Sequence, residues 1–211
     1  MTQAPLLETA FRHFRSQRMA LFERTLRPGS QTRVLDVGGS PLIWEFASVR
    51  PRLTFLNLPS ALVPNCAADQ VGADGRMLPF PDQSFDIVFS NSVIEHVGAR
   101  SDQNRFACEV ARVGRAYWVQ TPNRRFPVEL HVMLPLVHYL PKPLQRAILN
   151  RFTLWEKLAH PTHEQRAFYI DHFLNELNLL DNHALQMLFP DARILSEPFL
   201  GIPKSIIACK D

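Results

Sequence analysis

The chain has 211 residues, of which 46% are hydrophobic and 20% are charged, and its formal net charge is +3. This composition suits one compact α/β domain with a sizeable core, and it excludes a disordered chain, a collagen and a coiled coil. The longest run without Asp, Glu, Lys or Arg, residues 53–68, is broken by prolines and falls short of the roughly 20 apolar residues of a membrane-spanning helix.

The first clear pattern in the chain is helical. Apolar residues recur at helical spacing from Leu7 to Leu26, with arginines between them and Pro28-Gly29 as the stop. We predict one amphipathic basic helix within an N-terminal segment, residues 1–30. The same stretch contains the acidic Glu8 and no small-residue cleavage site, which argues against a secretory signal.

Short apolar runs then alternate with helical stretches. The run Arg33 to Val37 ends in Gly38-Gly39, the pattern of a buried parallel strand, and Pro41 suits the first position of a helix. The alternation over the first 120 residues predicts a parallel, doubly wound sheet. The further strands are predicted at Leu53–Leu56, Gln70–Ala73, Phe85–Ser90, Tyr117–Gln120, Ala192–Glu197 and Ser205–Cys209, and the helices at Gln103–Val113 and Asn182–Phe189.

The second half of the chain departs from this alternation twice. Residues 121–163 form a proline-rich and aromatic-rich stretch, which we interpret as an insertion in the main domain, residues 31–211. The end of the chain, residues 192–209, reads as two apolar strands joined by a short Gly/Pro turn. This pattern predicts a terminal hairpin rather than another strand-helix-strand unit.

The cysteines give no sign of a cross-link or a metal. Cys66, Cys108 and Cys209 are odd in number, far apart and without C-x-x-C spacing. We therefore expect no disulfide framework, no zinc site and no other bound metal. A reducing cytoplasm is the expected location.

Charge is unevenly distributed along the chain. Residues 1–30 carry +3 and residues 124–166 carry +4, so the remainder carries −4. Because the predicted core is mildly acidic, no nucleic-acid partner is expected, although either basic segment suits a phosphate or an anionic membrane surface. No obligatory protein partner is indicated.

Four short features fall in order at the ends of predicted strands, where ligands bind in open α/β sheets. They are VLDVGGSP (34–41), Leu56-Asn57-Leu58, ADGRMLPFPD (73–82) and SFDIVFSNSVIEHV (84–97). In the first, glycines allow backbone N–H groups to approach a ligand and Asp36 can accept from an ammonium. In the third, Asp74 can accept from an adenine amino group while Met77 or Leu78 packs on the ring.

The third and fourth features together closely resemble the class I S-adenosylmethionine (SAM)-dependent methyltransferases, in particular those that modify quinones, lipids and small metabolites. The resemblance covers residues 32–120 and the terminal hairpin at 192–209. It implies a Rossmann-like α/β sheet of about seven strands with the last strand antiparallel and helices on both faces. It also implies SAM as the cofactor.

The resemblance assigns cofactor contacts only where the motifs match. The glycine-rich loop corresponds to Asp36, Gly38, Gly39 and Ser40, with Ser40 in place of the usual second glycine. Asn57, followed by Leu58, stands where an acidic residue usually holds the ribose. The remaining assignments are the adenine site at Asp74, Gly75 and Arg76, and the methionine-facing turn at Ser90 and Asn91.

Methyl transfer from SAM needs positioning above all, and a base is optional. The candidates for a base are His96, Glu129 and His131. Each also has a structural interpretation: His96 as a hydrogen-bonding group at a helix start, and Glu129 and His131 as anchors of the insertion through Arg124 or Arg125.

The insertion contains an apolar stripe at helical spacing that starts at Leu144 and includes Ile148, Leu149, Phe152 and Trp155. Three interpretations remain open for it: a lid over the acceptor pocket, plain packing on the core, or weak contact with a membrane interface.

The predicted function is SAM-dependent methyl transfer to a small or lipid-linked acceptor, with O- or N-methylation favoured. The alternative is a methyltransferase-like binding or scaffold protein without turnover. A nicotinamide dehydrogenase is disfavoured because G-x-G-x-x-G does not follow the first strand.

Overall fold

The computed structural model describes residues 5–62, 64–129, 132–151 and 162–211. Three short 3₁₀ turns lie among its helices and strands. The helices are α1 (Pro5–Leu26), α2 (Pro41–Trp44), α3 (Arg100–Val113), α4 (Lys142–Arg151), α5 (His163–Glu176) and α6 (Asn182–Leu188). The strands are β1 (Arg33–Val37), β2 (Arg52–Asn57), β3 (Asp69–Gly72), β4 (Phe85–Asn91), β5 (Gly114–Pro122), β6 (Val128–Glu129), β7 (Leu134–Pro135), β8 (Arg193–Phe199) and β9 (Ile202–Lys210).

Seven strands form one sheet in the order β3-β2-β1-β4-β5-β9-β8. The first five pair in parallel, whereas β9 runs antiparallel to both β5 and β8. This arrangement confirms the predicted doubly wound sheet of about seven strands with an antiparallel last strand. The predicted terminal hairpin is β8-β9, and β6-β7 forms a separate two-stranded ladder.

Alternation along β1 explains why helices cover both faces of the sheet. Val34 packs into a cluster with Phe22 of α1 and Trp44 of α2. Leu35, one residue later, points to the opposite face and packs with Phe106 of α3. Because successive strand residues face opposite sides, one buried strand anchors both helical layers.

The predicted insertion, residues 121–163, contains the ladder β6-β7 and helix α4. Leu149 of α4 is buried, and it joins a small separate core with Phe173 and Leu174 of α5. Leu144 is 47% exposed. Phe152 and Trp155, the end of the apolar stripe, lie outside the described residues, so the lid and membrane interpretations stay predictions. No helix within the described ranges is both long and apolar enough to cross a membrane.

A buried ionic network fastens α1 to the carboxyl edge of the sheet. The Arg18 guanidinium donates to both carboxylate oxygens of Glu197 on β8, each at 2.6 Å, and to Asn91 Oδ1 on β4 at 2.6 Å. Lys204 Nζ on β9 donates to the same carboxylate at 3.0 Å. Burial alone would raise the pKa of Glu197, but the hydrogen bonds and charges of Arg18 and Lys204 together lower it.

Strand β1 itself carries a second buried carboxyl group. Asp36 is 1% exposed, and its Oδ2 accepts from Trp44 Nε1 at 2.8 Å. The Oδ1 atom has no hydrogen-bond partner in the described part of the chain. Burial raises the pKa of Asp36 to about 7, against the lowering effect of the Trp44 hydrogen bond.

We expect Arg18→Ala to destabilise the fold by about 3 kcal/mol or more, because it leaves the Glu197 carboxylate buried without its main partner. Chemical denaturation at neutral pH would measure the loss. Arg24→Ala, which removes an exposed arginine from the same helix, is the matched control and should change the free energy of unfolding by less than about 0.5 kcal/mol. Equal losses in the two variants would contradict a stabilising role for the network.

Asp36 should make the stability depend on pH between about 4 and 7. In this window the unfolded carboxyl is ionised while the buried one keeps its proton, so the free energy of unfolding falls as pH rises. The fall from this group is on the order of 4 kcal/mol and levels off above pH 7. Denaturation of the wild type and of Asp36→Asn at pH 5 and pH 8 would measure it. A difference between the two proteins that is the same at both pH values would mean that the buried carboxyl is ionised throughout.

Candidate functional site

A cavity of about 270 Å³ lies at the carboxyl edge of the sheet. Its walls come from the ends of β1 and β2, the loop after β3, the turn after β4 and helix α3. Seven residues that the sequence predicted for the site line it: Gly38, Asn57, Leu58, Asp74, Gly75, Arg76 and His96. The structure thus brings together side chains from four separate segments of the chain.

The loop after β1 forms one wall and depends on its glycines. Gly38 has a φ of 74°, and a Cβ on it would lie 2.4 Å from a methyl carbon of Val93. A Cβ on Gly39 would lie 2.1 Å from Cγ of Asp36. Because neither position has room for a side chain, the loop holds its close path beside Val93 only with glycine. Ser40 follows as the N-cap residue of α2, without a side-chain capping bond.

Asn57 ends β2 and supports the same loop. Its Nδ2 donates to the Gly39 carbonyl oxygen at 3.0 Å. Its side chain lines the cavity, and its Oδ1 can accept a further hydrogen bond. Leu58 follows it and is 55% exposed. The arrangement suits a polar contact at the rim of the cavity.

Asp74 is already engaged by its neighbour Arg76. Asp74 Oδ1 accepts from the Arg76 backbone N–H at 2.9 Å, and Oδ2 accepts from Arg76 Nη2 at 2.6 Å. This hydrogen bonding holds the pKa of Asp74 below its usual range. Arg76 also forms an ion pair with Asp102 of α3 at 3.3 Å. A carboxylate has about four lone-pair directions, so it can accept from a ligand while it keeps Arg76.

Five predicted cofactor contacts are not among the described residues that line the cavity, namely Asp36, Gly39, Ser40, Ser90 and Asn91. Asp36 is directed to Trp44, as described above. Ser90 is buried, and its Oγ donates to the Val37 carbonyl at 3.0 Å. The Asn91 side chain accepts from Arg18. These side chains hold β1, β4 and α1 together.

The three base candidates have different positions. His96 lines the cavity, at the end of the short 3₁₀ turn Ile94–His96. Glu129 is 2% exposed, and its Oε2 accepts from the Val132 backbone N–H at 2.9 Å. His131 lies outside the described residues. Arg125, a suggested anchor for this segment, pairs with Asp181 at 3.2 Å.

The apolar walls differ from those expected for the base-stacking role. Met77 is 77% exposed and Leu78 is buried, and neither lines the cavity as described. Val93, Val97 and Phe106 line it instead. Phe106 sits in the apolar stripe of α3, which from the sequence alone indicates only core packing.

Within the described ranges, no three His, Cys, Asp or Glu side chains come together in a group that could hold a metal ion.

Part of the chain is similar to methyltransferase sequences. Residues 44–116 match the family described as "Methyltransferase domain". A relative from Mycobacterium sp. (strain JLS), described as an uncharacterized methyltransferase, is 37% identical over 95 residues, which cover 42% of this chain and 36% of the relative. The match therefore spans about a third of the length of that relative.

Two solved structures share the fold over nearly the whole chain. One, from Rhodobacter sphaeroides and assigned to the zinc-dependent alcohol dehydrogenases, has a TM-score of 0.58 at 12% identity and covers 92% of this chain and 87% of its own. The other comes from a Haloferax volcanii complex between the Trm112 methyltransferase activator and an assigned methyltransferase. It has a TM-score of 0.57 at 15% identity and covers 96% of this chain and 90% of its own. At these identities the likeness shows the fold alone.

The family match begins after the glycine loop and includes the Asn57, Asp74 and Ser90 features. The sheet has the seven strands and the antiparallel last strand that the resemblance implied. The domain match, the curated relative and the fold together confirm the resemblance of this chain to the class I SAM-dependent methyltransferases.

Proposed function

We propose that the chain transfers a methyl group from SAM to a small or lipid-linked acceptor by in-line displacement. The observation that carries the proposal is the cavity at the carboxyl ends of β1, β2 and β3, most of whose lining belongs to the segment similar to methyltransferase domains. Ligands bind at this edge in open α/β sheets. O- or N-methylation is the form that the candidate base suits best.

The cavity fits an adenosine in its chemistry. Its walls include the apolar Val97 and Phe106, which suit the faces of a purine, and its rim includes the polar Asn57 and Asp74. Asp74 would accept from the purine amino group, and Asn57 would contact the ribose hydroxyls. The backbone at Gly38 approaches the cavity with no side chain in the way.

When bound, SAM would supply a methyl group already activated on a sulfonium sulfur. The residues of the chain then have to hold the acceptor atom in line with that methyl, and positioning of this kind contributes about 7 to 11 kcal/mol. The bond from the methyl carbon to sulfur breaks as the bond to the acceptor forms. A hydroxyl or amine acceptor also loses a proton, and His96, which lines the cavity, would accept it.

A binding or scaffold protein without turnover is the second candidate. The observation that favours it is that Asn57 and Asp74 both have partners within the chain, the Gly39 carbonyl and Arg76. Calorimetry with SAM and with S-adenosylhomocysteine separates the two candidates. An active enzyme should bind both ligands, whereas a scaffold that has lost the site should bind neither.

Asp74→Ala should weaken SAM binding by about 1 to 3 kcal/mol, because it removes the acceptor for the purine amino group. Asp69→Ala is the matched control, since this exposed aspartate begins the strand whose far end leads to Asp74. Calorimetric titration with SAM measures both variants, and circular dichroism checks their folding. Unchanged affinity in the folded Asp74→Ala variant would place the purine elsewhere.

His96→Asn should lower methyl incorporation by roughly 100-fold while the dissociation constant for SAM stays within about twofold, if His96 accepts the proton. The assay follows labelled methyl from SAM into a fractionated cell extract. His13→Asn, on the exposed part of α1, is the control. Near-normal incorporation by His96→Asn would show that positioning alone carries the reaction or that Glu129 or His131 is the base.

A further inference from the structure

A second and larger cavity of about 590 Å³ lies beside the first. It is enclosed by the start of α3, the segment after β5, helices α4 and α5, and the start of α6. Five basic side chains line it: Arg100, Arg124, His138, Lys142 and His183. No aspartate or glutamate is among the described residues that line it.

Two carboxylates on the surrounding elements are directed to other cations. Asp181, which precedes α6, pairs with Arg125 at 3.2 Å and caps the helix through the Ala184 N–H. Asp171 of α5 pairs with Arg146 at 2.7 Å. Both arginines lie outside the cavity lining. The positive charge of the cavity is therefore left without compensation from these acids.

Two of the cavity cations, Arg100 and Lys142, are held by backbone oxygens instead. Arg100 donates to the Ala184 carbonyl at 2.7 Å, and Lys142 donates to the Leu174 carbonyl. The His138 ring is hydrogen-bonded to the Arg124 carbonyl at 2.9 Å. A carbonyl orients a cation but does not neutralise it, so the sites stay attractive to an anion.

Burial lowers the pKa of His138, although the hydrogen bond to the Arg124 carbonyl and the charge of Glu129 act in the opposite direction. The Glu129 carboxylate is buried and accepts from the Val132 N–H. It is outside the lining, so it leaves Arg100, Arg124 and Lys142 facing the cavity.

Hydrogen bonds join residues of the second cavity to the turn after β4, which lines the first. His96 and Val97 line the first cavity. Gln103 and Asn178, which line the second, bond to the other side of that turn: Gln103 Nε2 donates to the Ile94 carbonyl at 3.2 Å, and the Asn178 N–H donates to the Glu95 carbonyl at 2.8 Å. A ligand in the second cavity would thus contact residues that are hydrogen-bonded to the turn that carries His96.

The second cavity also has apolar walls. Phe173, Leu177, Leu180 and Met187 line it together with the basic groups, and Met187 is 65% exposed. Its volume is far larger than one phosphate or carboxylate group requires. The chemistry therefore suits a ligand with an anionic group attached to an apolar body.

We propose that this cavity binds the methyl acceptor and that the acceptor is an anionic amphiphile, with a phosphate or carboxylate group held by Arg124, Lys142 and Arg100. The inference rests on the proposed methyl transfer and adds the class of its acceptor. The anionic group stays unchanged in the reaction. A hydroxyl or amine on the same molecule takes the methyl group from the sulfonium, S-adenosylhomocysteine leaves, and the released proton goes to His96 or to water.

The first test measures binding without the cofactor. The probes are hexyl phosphate, heptanoate and neutral hexanol, titrated by calorimetry at low salt. We expect at least one of the two anions to bind about tenfold or more tightly than hexanol, with an affinity that falls as salt rises. The stronger of the two anions identifies the headgroup. Equal affinity for hexanol, or no binding of either anion, would overturn the proposal.

Matched variants locate the binding. Arg124→Gln should weaken binding of the preferred anion about tenfold, whereas Arg125→Gln, at the adjacent position outside the cavity, should not. Lys142→Gln and Arg146→Gln form a second pair on α4, for use if Arg124→Gln fails to fold. Equal effects within a folded pair would mean that general surface charge, and not this cavity, binds the anion.

A transfer assay joins the cavity to the reaction. Labelled methyl from SAM should enter compounds of a cell extract that an anion-exchange column retains, and Arg124→Gln should lose that label while it still binds SAM normally. Label found only in the unretained fraction would overturn the proposed acceptor class. Failure of the wild type to bind SAM would instead overturn the proposed function, and the anion titration would still report on the cavity.

Discussion

The parallel pairing of β1 with both β2 and β4 is the constraint on which the site depends. Asp36 lies opposite Phe55 on one side and Phe89 on the other, so all three strands end at the same edge. The sheet order reverses between β1 and β4, and their following loops diverge to opposite faces, which opens a crevice there. The Gly38 N–H still donates to the Leu56 carbonyl at 2.7 Å, so β2 directs the loop as it leaves β1. A shift in this register would move every wall of the first cavity at once.

The polar groups around that cavity are organised before any ligand arrives. The Asn57 side chain donates to the Gly39 carbonyl, and the Asp74 carboxylate accepts from the backbone N–H of Arg76. A ligand therefore shares or exchanges hydrogen bonds rather than adding them to free groups, and each exchange contributes only about 1 kcal/mol. Affinity for a cofactor then has to come largely from the apolar walls at Val97 and Phe106, together with the entropy saved because the loops are already ordered.

Local signals predicted the strands and the segments that form the site. The predicted run from Arg33 to Val37 has the same bounds as β1. A buried strand that ends at a glycine can be recognised from a few residues of sequence. Such local patterns could not predict contacts between residues that are far apart in the sequence. Arg18 and Glu197 are 179 positions apart, and only the folded sheet brings them together. The same holds for Ser90, whose hydroxyl is directed to Val37, and for Phe106, whose helical spacing indicates core packing until the fold places it at the cavity wall.

The charge counted along the sequence also differs from the charge that the folded protein offers to a ligand, because folding determines which charges are paired. The N-terminal segment carries +3 by sequence, yet Arg18 is neutralised in the interior by Glu197. The second cavity, in contrast, collects Arg100 and His183 from outside the basic 124–166 block and places them beside Arg124 and Lys142. The partner of each cation determines whether its charge can attract a ligand. A buried carboxylate partner cancels most of the electric field of the cation, whereas a neutral carbonyl partner does not. The polar groups at the first cavity are satisfied within the chain, and the cations at the second keep their charge. A neutral or weakly charged purine suits the first environment and an anion the second, so the fold separates two binding chemistries across one turn of chain.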